Sequence, residues 1–393
     1  MLKNYFQEKI TLIISFLILN NYFLLVFNFS ELIIKINFFL FLVSLTLFYF
    51  YEFNKNLYLK IFFLLIVLIS LGTPTFEWDP RSIWLFHGKR IFYDNSIFSI
   101  VDNYAPFSHN AYPLLVPALA SSLAKFIGHW NEVFPKLAFT FMFLPPLIIT
   151  YVFLKGARYL IFLSIVLFII GKYLFNGWAD GLIALYFGIS SFLMYLMIIK
   201  SDKSLKGKKI FYFISFCFFI FLTLIKNEGA ALLFILFVTT LLIKIYKKEL
   251  KNNILEIAFF SLSFLPIIFW KLFCLKNGLG NDYINTNIFL NLAPRITDLE
   301  NYKQIAYFLL LNEKFLFALF FFSLTFWFVK DKDLFIFIFG LVFLYILILF
   351  FIFLSTPYDL YFQLDSTAAR VSKTLSFTLA FFGLYNLRDR IKN

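Results

Sequence analysis

Runs of apolar residues close to 20 residues long follow one another along almost the whole chain. A helix of about 20 residues crosses the roughly 30 Å hydrocarbon core of a bilayer, and backbone groups in lipid must bond within helices or closed barrels. The alternating pattern of barrel strands is missing. The sequence therefore predicts an all-α integral membrane protein, a single polytopic domain over residues 1–393, with about 12 transmembrane helices at 10–28, 33–51, 57–73, 134–154, 159–175, 181–199, 210–226, 229–246, 253–271, 314–329, 334–354 and 371–386.

Composition and charge agree with this class. Of the 393 residues, 62% are hydrophobic and 15% are charged, which is more apolar surface than a water-soluble chain of this length can bury. With both termini in the cytoplasm, the predicted cytoplasmic segments hold 20 basic and eight acidic residues, and the outer segments hold 15 and 14. This is the positive-inside pattern. The net charge of +13 therefore needs no nucleic-acid partner to explain it.

The segment Tyr112–Gly128 decides the predicted topology. It is apolar, but it contains Pro113, Pro117 and Lys125. If it crossed the membrane, the lysine-rich loop Lys200–Lys209 would face outward, against the charge pattern. We therefore predict an interfacial or re-entrant helix on the outer face. Three extracytoplasmic loops follow from this topology, at 74–133, 272–313 and 355–370.

Ionisable residues collect at the predicted outer ends of the helices. Glu77 and Asp79 follow the third apolar run, Asp180 precedes the sixth, and Lys226 and Glu228 lie between the seventh and the eighth. Because ionisable groups near membrane depth are expensive, they are functional candidates by default. The alternative for each is a capping side chain or one that extends to the interface.

The first outer loop predicts an amphipathic helix that begins after Asp79. Pro80 suits the first turn of a helix, and Asp79 would be its N-cap. Trp78 and Trp84 would anchor the loop at the membrane surface. An apolar face lying on the bilayer would be formed by Ile83, Trp84, His87 and Ile91, which recur at helical spacing.

Short motifs follow in order between residues 77 and 370, all on the predicted outer side. They are Trp78-Asp79 with Ile83-Trp84 and Lys89; His109-Asn-Ala-Tyr112-Pro113-Leu-Leu115; Ala179-Asp180; Lys226-Asn-Glu228-Gly229; and Thr356-Pro-Tyr-Asp359-Leu360 with Ser366-Thr-Ala-Ala-Arg370. In this order they resemble the GT-C superfamily of membrane glycosyltransferases. The likeness is greatest to the bacterial glycosyltransferase family 39-type, dolichyl-phosphate-mannose-protein mannosyltransferase-like group.

The resemblance implies a GT-C-like fold and an inverting sugar transfer. The donor would be a polyprenyl-phosphate-linked sugar, and the acceptor a hydroxyl of a protein, lipid or glycan at the outer face of the bacterial cytoplasmic membrane, in cell-envelope assembly. Asp79 would be the catalytic base, with Glu77 as the second candidate. The substrate-binding residues would be Lys89, Arg90, His109, Tyr112, Asp180, Lys226, Glu228, Asp359 and Arg370.

Other classes of function receive less support. The chain has no P-loop and no Gly-x-Gly-x-x-Gly motif, which favours a lipid-linked donor over a nucleotide sugar. His87, His109 and His129 lack the spacing of metal ligands, so no metal site and no cofactor are predicted. An O-antigen-type polymerase or ligase would depend on a late loop with Arg295. A secondary transporter would show an inverted repeat and midplane charges, which are not found.

Overall fold

The computed structural model describes residues 5–51, 57–98, 108–200, 209–280, 288–329 and 331–387. Every regular element within these ranges is helical, so the predicted all-α class is confirmed for them. Parts of several predicted segments lie outside the described residues. These are both termini, 99–107 of the first outer loop, 201–208 of the lysine-rich loop and 281–287 of the second outer loop.

The α-helices are numbered in chain order. They are α1 (Tyr5–Val26), α2 (Glu31–Phe50), α3 (Leu57–Gly72), α4 (Leu85–Asp94), α5 (Leu115–Ile127), α6 (Leu137–Phe153), α7 (Ala157–Ile169), α8 (Asp180–Met194), α9 (Lys209–Ile225), α10 (Asn227–Tyr246), α11 (Ile254–Ser261), α12 (Leu265–Lys276), α13 (Ile288–Ile296), α14 (Leu299–Leu310), α15 (Glu313–Val329), α16 (Lys332–Ser355) and α17 (Leu360–Asn386). A π-helical turn, Pro80–Trp84, leads into α4, and another, Tyr195–Ile199, extends α8.

The described helices are those of a multi-pass membrane protein. Seven are long and apolar enough to cross a bilayer, and there is an eighth crossing if α14 and α15, which are bent by 69°, count as one. Three predicted spans form shorter helices, because α3, α7 and α9 have 16, 13 and 17 residues. At about 1.5 Å per residue they rise roughly 20–26 Å, less than the roughly 30 Å of hydrocarbon. The count of 12 spans therefore stays a prediction.

All three predicted outer loops contain regular structure, and α4 and α5 lie in the first of them. Helices α13 and α14 lie within 272–313, and α12 continues into that segment as far as Lys276. Helix α17 begins at Leu360, so most of 355–370 is helical. The apolar pattern missed the first turns of α17 because Asp365 and Arg370 interrupt the apolar run without interrupting the helix, whose formation depends on backbone propensity.

The doubtful segment forms α5, which is enclosed by protein. All residues from Leu115 to Lys125 are buried, against α1, α2, α4 and α6. Its 13 residues rise only about 20 Å, less than the roughly 30 Å of hydrocarbon. Gly128, with a left-handed φ of 96°, ends the helix. Protein surrounds α5, and this enclosure is what a re-entrant helix at membrane depth requires, so an interfacial or re-entrant helix stays the prediction.

The apolar face of α4 lies on α5 and not on the bilayer. Ile83, Trp84, His87 and Ile91 are at most 2% exposed. The predicted lipid-facing helix and the predicted interfacial role of Trp84 are therefore wrong, because α5 covers that face. Trp78, on the other hand, is 60% exposed.

Helices α8 and α17 form the centre of the protein. The span Asp180–Ile199 is wholly buried, and α17 packs against α7, α8, α14 and α15. Asp180 is the first residue of α8, and Arg370 lies within α17. The most enclosed part of the fold therefore positions two of the candidate residues.

Candidate functional site

Arg370 lies at the centre of a network of charged side chains. Its Nη2 donates to Oδ2 of Asp79 and, at 3.0 Å, to Oδ2 of Asp180, which Nε also reaches at 3.3 Å. The three side chains are only 6–16% exposed. The guanidinium stacks on Trp178, 3.9 Å from the ring centroid. The planar, many-donor guanidinium thereby holds two carboxylates in a fixed relation.

Asp180 connects Arg370 to a second buried cation. Lys226 Nζ donates to Asp180 Oδ1 at 3.1 Å and to Glu228 Oε1 at 2.9 Å. Burial alone would lower the pKa of Lys226, but the Asp180 and Glu228 carboxylates raise that pKa well above its ordinary value. Lys226 is therefore a fixed cation whose charge is compensated within the protein.

The break between α9 and α10 places Lys226 and Glu228 side by side. Lys226 has an extended backbone (φ −157°, ψ 156°), and α10 begins at the next residue. Gly229 lies so close to the preceding helix that a Cβ atom there would be 1.7 Å from the Leu222 carbonyl oxygen. Close packing therefore explains why the Lys226-Asn-Glu228-Gly229 motif ends in a glycine.

Asp79 orients toward Arg370 and does not cap a helix. Its backbone is already helical (φ −58°, ψ −49°), and its side chain makes no capping hydrogen bond. The predicted capping role is therefore wrong, because the Asp79 carboxylate forms an ion pair with Arg370 instead. Oδ1 of Asp79 has no hydrogen bond to the described part of the chain.

Glu77 is held away from this network. It pairs with Lys172 at 2.9 Å, and the two side chains are 40% and 58% exposed. A surface pair of this kind contributes about 0–1 kcal/mol to stability. Glu77 is therefore near Asp79 in sequence but has a different partner.

The His109–Tyr112 motif borders the network. The two rings stack with centroids 4.9 Å apart, and Tyr112 lies 5.7 Å from Trp84. Tyr112 is also close enough to Lys226 to act on it electrostatically. These two predicted residues therefore adjoin the charged centre without pairing Arg370.

Three further predicted residues have other places. Asp359 caps α17, because its Oδ1 accepts from the Phe362 backbone N–H at 2.9 Å. Lys89 is exposed on α4 and forms no ion pair within the described ranges. Arg90, half-buried on the same helix, acts electrostatically on His87.

Arg295 also has a structural contact. Its Nη1 and Nη2 donate to the carbonyl oxygens of Thr356 and Tyr358 at 2.7 and 2.8 Å. The guanidinium thus fastens α13 to the turn that precedes α17. This contact gives Arg295 a structural role that does not depend on the polymerase or ligase alternative.

Several contributing residues were missed in the sequence. Lys271 donates to Asn227 Oδ1 at 2.7 Å and to the Ala111 carbonyl at 3.1 Å, and Trp270 Nε1 donates to the same carbonyl at 3.1 Å. These bonds connect the His109–Leu115 motif to the Lys226–Gly229 motif. The signal for them was a Trp-Lys pair at the outer end of an apolar run.

Two cavities adjoin these residues. A cleft of about 1230 Å³ is lined almost wholly by apolar side chains of α1, α9, α11 and α12, and it reaches Phe98 and Trp270. A small polar cavity lies at the network itself. Glu228 Oε2 is buried there and has no hydrogen-bond partner among the described residues. The small cavity is lined by Asp180, Lys226, Glu228, Tyr345, Arg370 and Thr374, among others.

The network joins residues of four of the five motifs, and the remaining one, His109–Leu115, borders it. No family model, curated protein or solved structure matches this chain. The likeness to membrane glycosyltransferases therefore rests on the sequence motifs, and the convergence of their side chains is a separate, structural observation.

Proposed function

We propose that this protein is a membrane glycosyltransferase. It moves a sugar from a polyprenyl-phosphate donor to an acceptor hydroxyl at the outer face of the bacterial cytoplasmic membrane, with inversion, in envelope glycan or glycoconjugate assembly. The observation that carries the proposal is the convergence of five charged side chains in an apolar bundle, four of them near helix ends and Arg370 within α17. They are Asp79, Asp180, Lys226, Glu228 and Arg370.

Charged side chains that each extend separately to water at the membrane surface would not converge in this way. Asp180 and Lys226 are each only 6% exposed. Withdrawing an ion from water costs several kcal/mol, and well-packed apolar residues often replace a buried ion pair without loss of stability. A buried cluster drawn from four separate segments is therefore more typical of a binding or catalytic centre than of a structural device.

Asp79 is the general base in this proposal. Arg370 fixes its Oδ2, and Oδ1 is open to the acceptor hydroxyl. The hydroxyl oxygen bonds to the anomeric carbon while the bond from that carbon to the phosphate oxygen breaks. The electron pair leaves with the polyprenyl phosphate, and the proton passes to Asp79.

The remaining members of the network bind and position. Arg370 Nη1 has no hydrogen bond to the described residues, so it can donate to a phosphate oxygen of the donor. Glu228 Oε2 is an unpaired acceptor suited to a sugar hydroxyl. Lys226, already paired with two carboxylates, positions Asp180 and Glu228.

The apolar cleft is suited to the isoprenoid chain of the donor. Its lining is apolar, and burial of an apolar chain is favourable in proportion to the area covered. Trp270 belongs to the lining, and the next residue, Lys271, is a cation with no ion pair in the described part of the chain. The apolar cleft would hold the chain of a lipid phosphate, and the cation at its end would bind the phosphate.

A comparison of envelope products tests the proposal. Lipid-linked sugars and envelope glycans are compared by mass spectrometry in a deletion strain complemented with the wild-type gene, with Asp79→Asn, or with no gene. We expect one product to lack a single sugar in the deletion and Asp79→Asn strains and to regain it with the wild-type gene. Products that are identical in all three strains would refute the proposal, and a change in polymer length alone would favour a polymerase.

A further inference from the structure

A second group of cations lies beyond Arg370. Lys373 follows it by three residues on α17, Lys314 lies in the first turn of α15, and Lys172 follows α7. Lys314 Nζ donates to the Ile169 carbonyl at 3.2 Å, and Lys373 Nζ lies 4.8 Å from the Tyr173 ring centroid. Lys172 belongs to the same turn, so the three side chains converge on residues 169–173. None of the three lines the apolar cleft or the small polar cavity.

Lys373 is buried without an acidic partner. It is only 7% exposed, and its ammonium lies 4.8 Å from the centroid of the Tyr173 ring. Its hydrogen bond is a long one, 3.4 Å, to the Ala369 carbonyl of its own helix. The nearby Asp180 attracts it, but both oxygens of Asp180 are already taken by Lys226 and Arg370.

Lys314 is also without an ion pair in the described residues. It donates to the Ile169 carbonyl at 3.2 Å, and its neighbour Glu313 is exposed and attracts it without pairing. Only Lys172 has a paired acid, Glu77. The group therefore holds more positive charge than its contacts compensate, and the mutual repulsion of like charges is unfavourable unless an anion enters.

The group adjoins the proposed catalytic base. Tyr173 contacts Lys373 and also Trp178, whose ring centroid is 5.4 Å away. The guanidinium of Arg370 stacks on the same Trp178 ring. Lys172 also pairs at 2.9 Å with Glu77, which precedes Asp79 by two residues. An anion held by the lysines would therefore lie beside the carboxylate that takes the proton of the acceptor.

We propose that Lys172, Lys314 and Lys373 bind an anionic group, a phosphate or a carboxylate, carried by the acceptor. This inference rests on the proposed function, in which the donor's phosphate is assigned to Arg370 and to the polar end of the cleft. Because the three lysines lie outside the cleft, their anion belongs to the second substrate. The acceptor is thus an acidic glycan or lipid and not a neutral one.

Protection of the lysines from acylation tests the site directly. The purified full-length protein, in nanodiscs of phosphatidylcholine, is treated with a water-soluble acylating reagent in chloride or in inorganic phosphate at equal ionic strength. Peptide mass spectrometry then gives the rate at each lysine. We expect phosphate to slow acylation of Lys314 and Lys172 by about tenfold at about ten times its dissociation constant, by mass action.

Two controls make this result specific. Lys303 is exposed and pairs with Glu300 at 3.1 Å, and phosphate should leave its acylation unchanged. Lys373→Gln should abolish protection at Lys314. Equal rates at Lys314 with and without phosphate would overturn the site. Phosphatidylglycerol in the nanodisc is also tested in place of inorganic phosphate. If it protects the lysines as well as phosphate does, the site binds bilayer headgroups, and the proposal of an anionic acceptor is wrong.

The envelope products separate this inference from the proposed function. The product that gains one sugar from the wild-type gene should carry a phosphate or a carboxylate. With that acceptor in hand, Lys373→Gln should raise the acceptor KM about tenfold and leave the donor KM unchanged, the loss expected for one charge-assisted contact. A neutral product, or a change in the donor KM instead, would refute the anionic acceptor while leaving glycosyl transfer intact.

Discussion

Arg370 fixes the orientation of Asp79, the proposed general base. One nitrogen of the guanidinium holds Asp79 and Asp180 together, and the ring of Trp178 limits its rotation. One carboxylate oxygen of Asp79 is thereby fixed, and the other has no hydrogen bond to the described residues. A general base needs this kind of fixed orientation more than it needs a strong charge.

Replacing Asp79 by Asn tests this role. Asn keeps the size and can accept a hydrogen bond from Arg370, but it cannot take a proton. We expect transfer in a reconstituted assay to fall about 100-fold or more, the usual scale for a lost general base. Gel filtration of the purified variant should show an intact fold.

Glu77→Gln is the matched comparison. Glu77 is exposed and paired with Lys172, so its neutralisation should cost less than about fivefold. Loss of transfer in Glu77→Gln with near-normal transfer in Asp79→Asn would exchange the two roles.

His87 makes the first outer loop sensitive to acid. The ring is 1% exposed, Nε2 donates to the Ser108 carbonyl at 2.8 Å, and Nδ1 has no partner within the described ranges. Burial lowers the pKa of His87 from 6.5 to about 4. Between these values the unfolded chain binds a proton that the folded chain does not, so stability present above pH 6.5 is lost as the pH falls toward 4.

His87→Gln should remove this dependence, because the amide can donate to Ser108 without titrating. The free energy of unfolding of the wild type should fall relative to the variant by up to about 3 kcal/mol between pH 7 and pH 4. Thermal unfolding in detergent across that range measures the difference. Parallel pH curves for the two proteins would show that His87 is not buried as described.

The sequence predicted most members of the network but not their partners. Asp79, Asp180, Lys226, Glu228 and Arg370 were identifiable as ionisable residues at helix ends, where charge is expensive. Which of them pair depends on how helices far apart in the chain pack, and local sequence does not contain that information. Lys89 and Asp359 have the same chemistry as the network residues, and packing alone places them elsewhere.

At the scale of elements, the contact between α9 and α10 is the tightest at the site. Gly229 packs directly on the Leu222 backbone, and its neighbour Glu228 belongs to the network. A side chain at position 229 would push the two helix ends apart and move Lys226 and Glu228 away from Asp180.

Gly229→Ala should therefore lower both stability and transfer. An added methyl group in a close-packed contact costs about 1–3 kcal/mol, which thermal unfolding would record. Gly72→Ala, where nothing lies within 4 Å of the new Cβ, is the control and should be nearly neutral. Wild-type behaviour of Gly229→Ala would show that the α9–α10 contact is looser than described.

Hydropathy predicted where helices lie better than where they end. The long runs at α1, α2, α6, α8, α10 and α16 all form helices near their predicted bounds. The amphipathic elements differ more, because hydropathy cannot say whether an apolar face meets lipid or protein. The face of α4 meets α5, and α17 continues through charged residues that end its apolar run.

At the scale of the whole molecule, the positive-inside pattern makes topology testable. Reporter fusions after Lys55, Lys206 and Lys332 should read as cytoplasmic, and fusions near Asp102 and Asn287 as extracytoplasmic. The same reading at Lys206 and Asn287 would invalidate the span count and the assignment of the network to the outer face.

The short helices need their own fusions. If α7 crosses despite its 13 residues, fusions at Gly156 and Asn176 should report opposite sides. If both report one side, α7 is re-entrant, and the number of crossings is nearer to the seven or eight long helices.

The pairing of Arg370 with Asp79 spans 291 positions of the chain, and this distance has a consequence for biosynthesis. Asp79, Asp180, Lys226 and Glu228 all leave the ribosome before Arg370 does. Until α17 enters the membrane, the emerging chain carries three of these acids against one cation. A ribosome that stalls before α17 therefore releases a product in which nothing orients Asp79. By the proposed function, transfer therefore begins only when α17 has brought Arg370 to Asp79, and a copy that ends before α17 keeps three of these acids with one of the two cations.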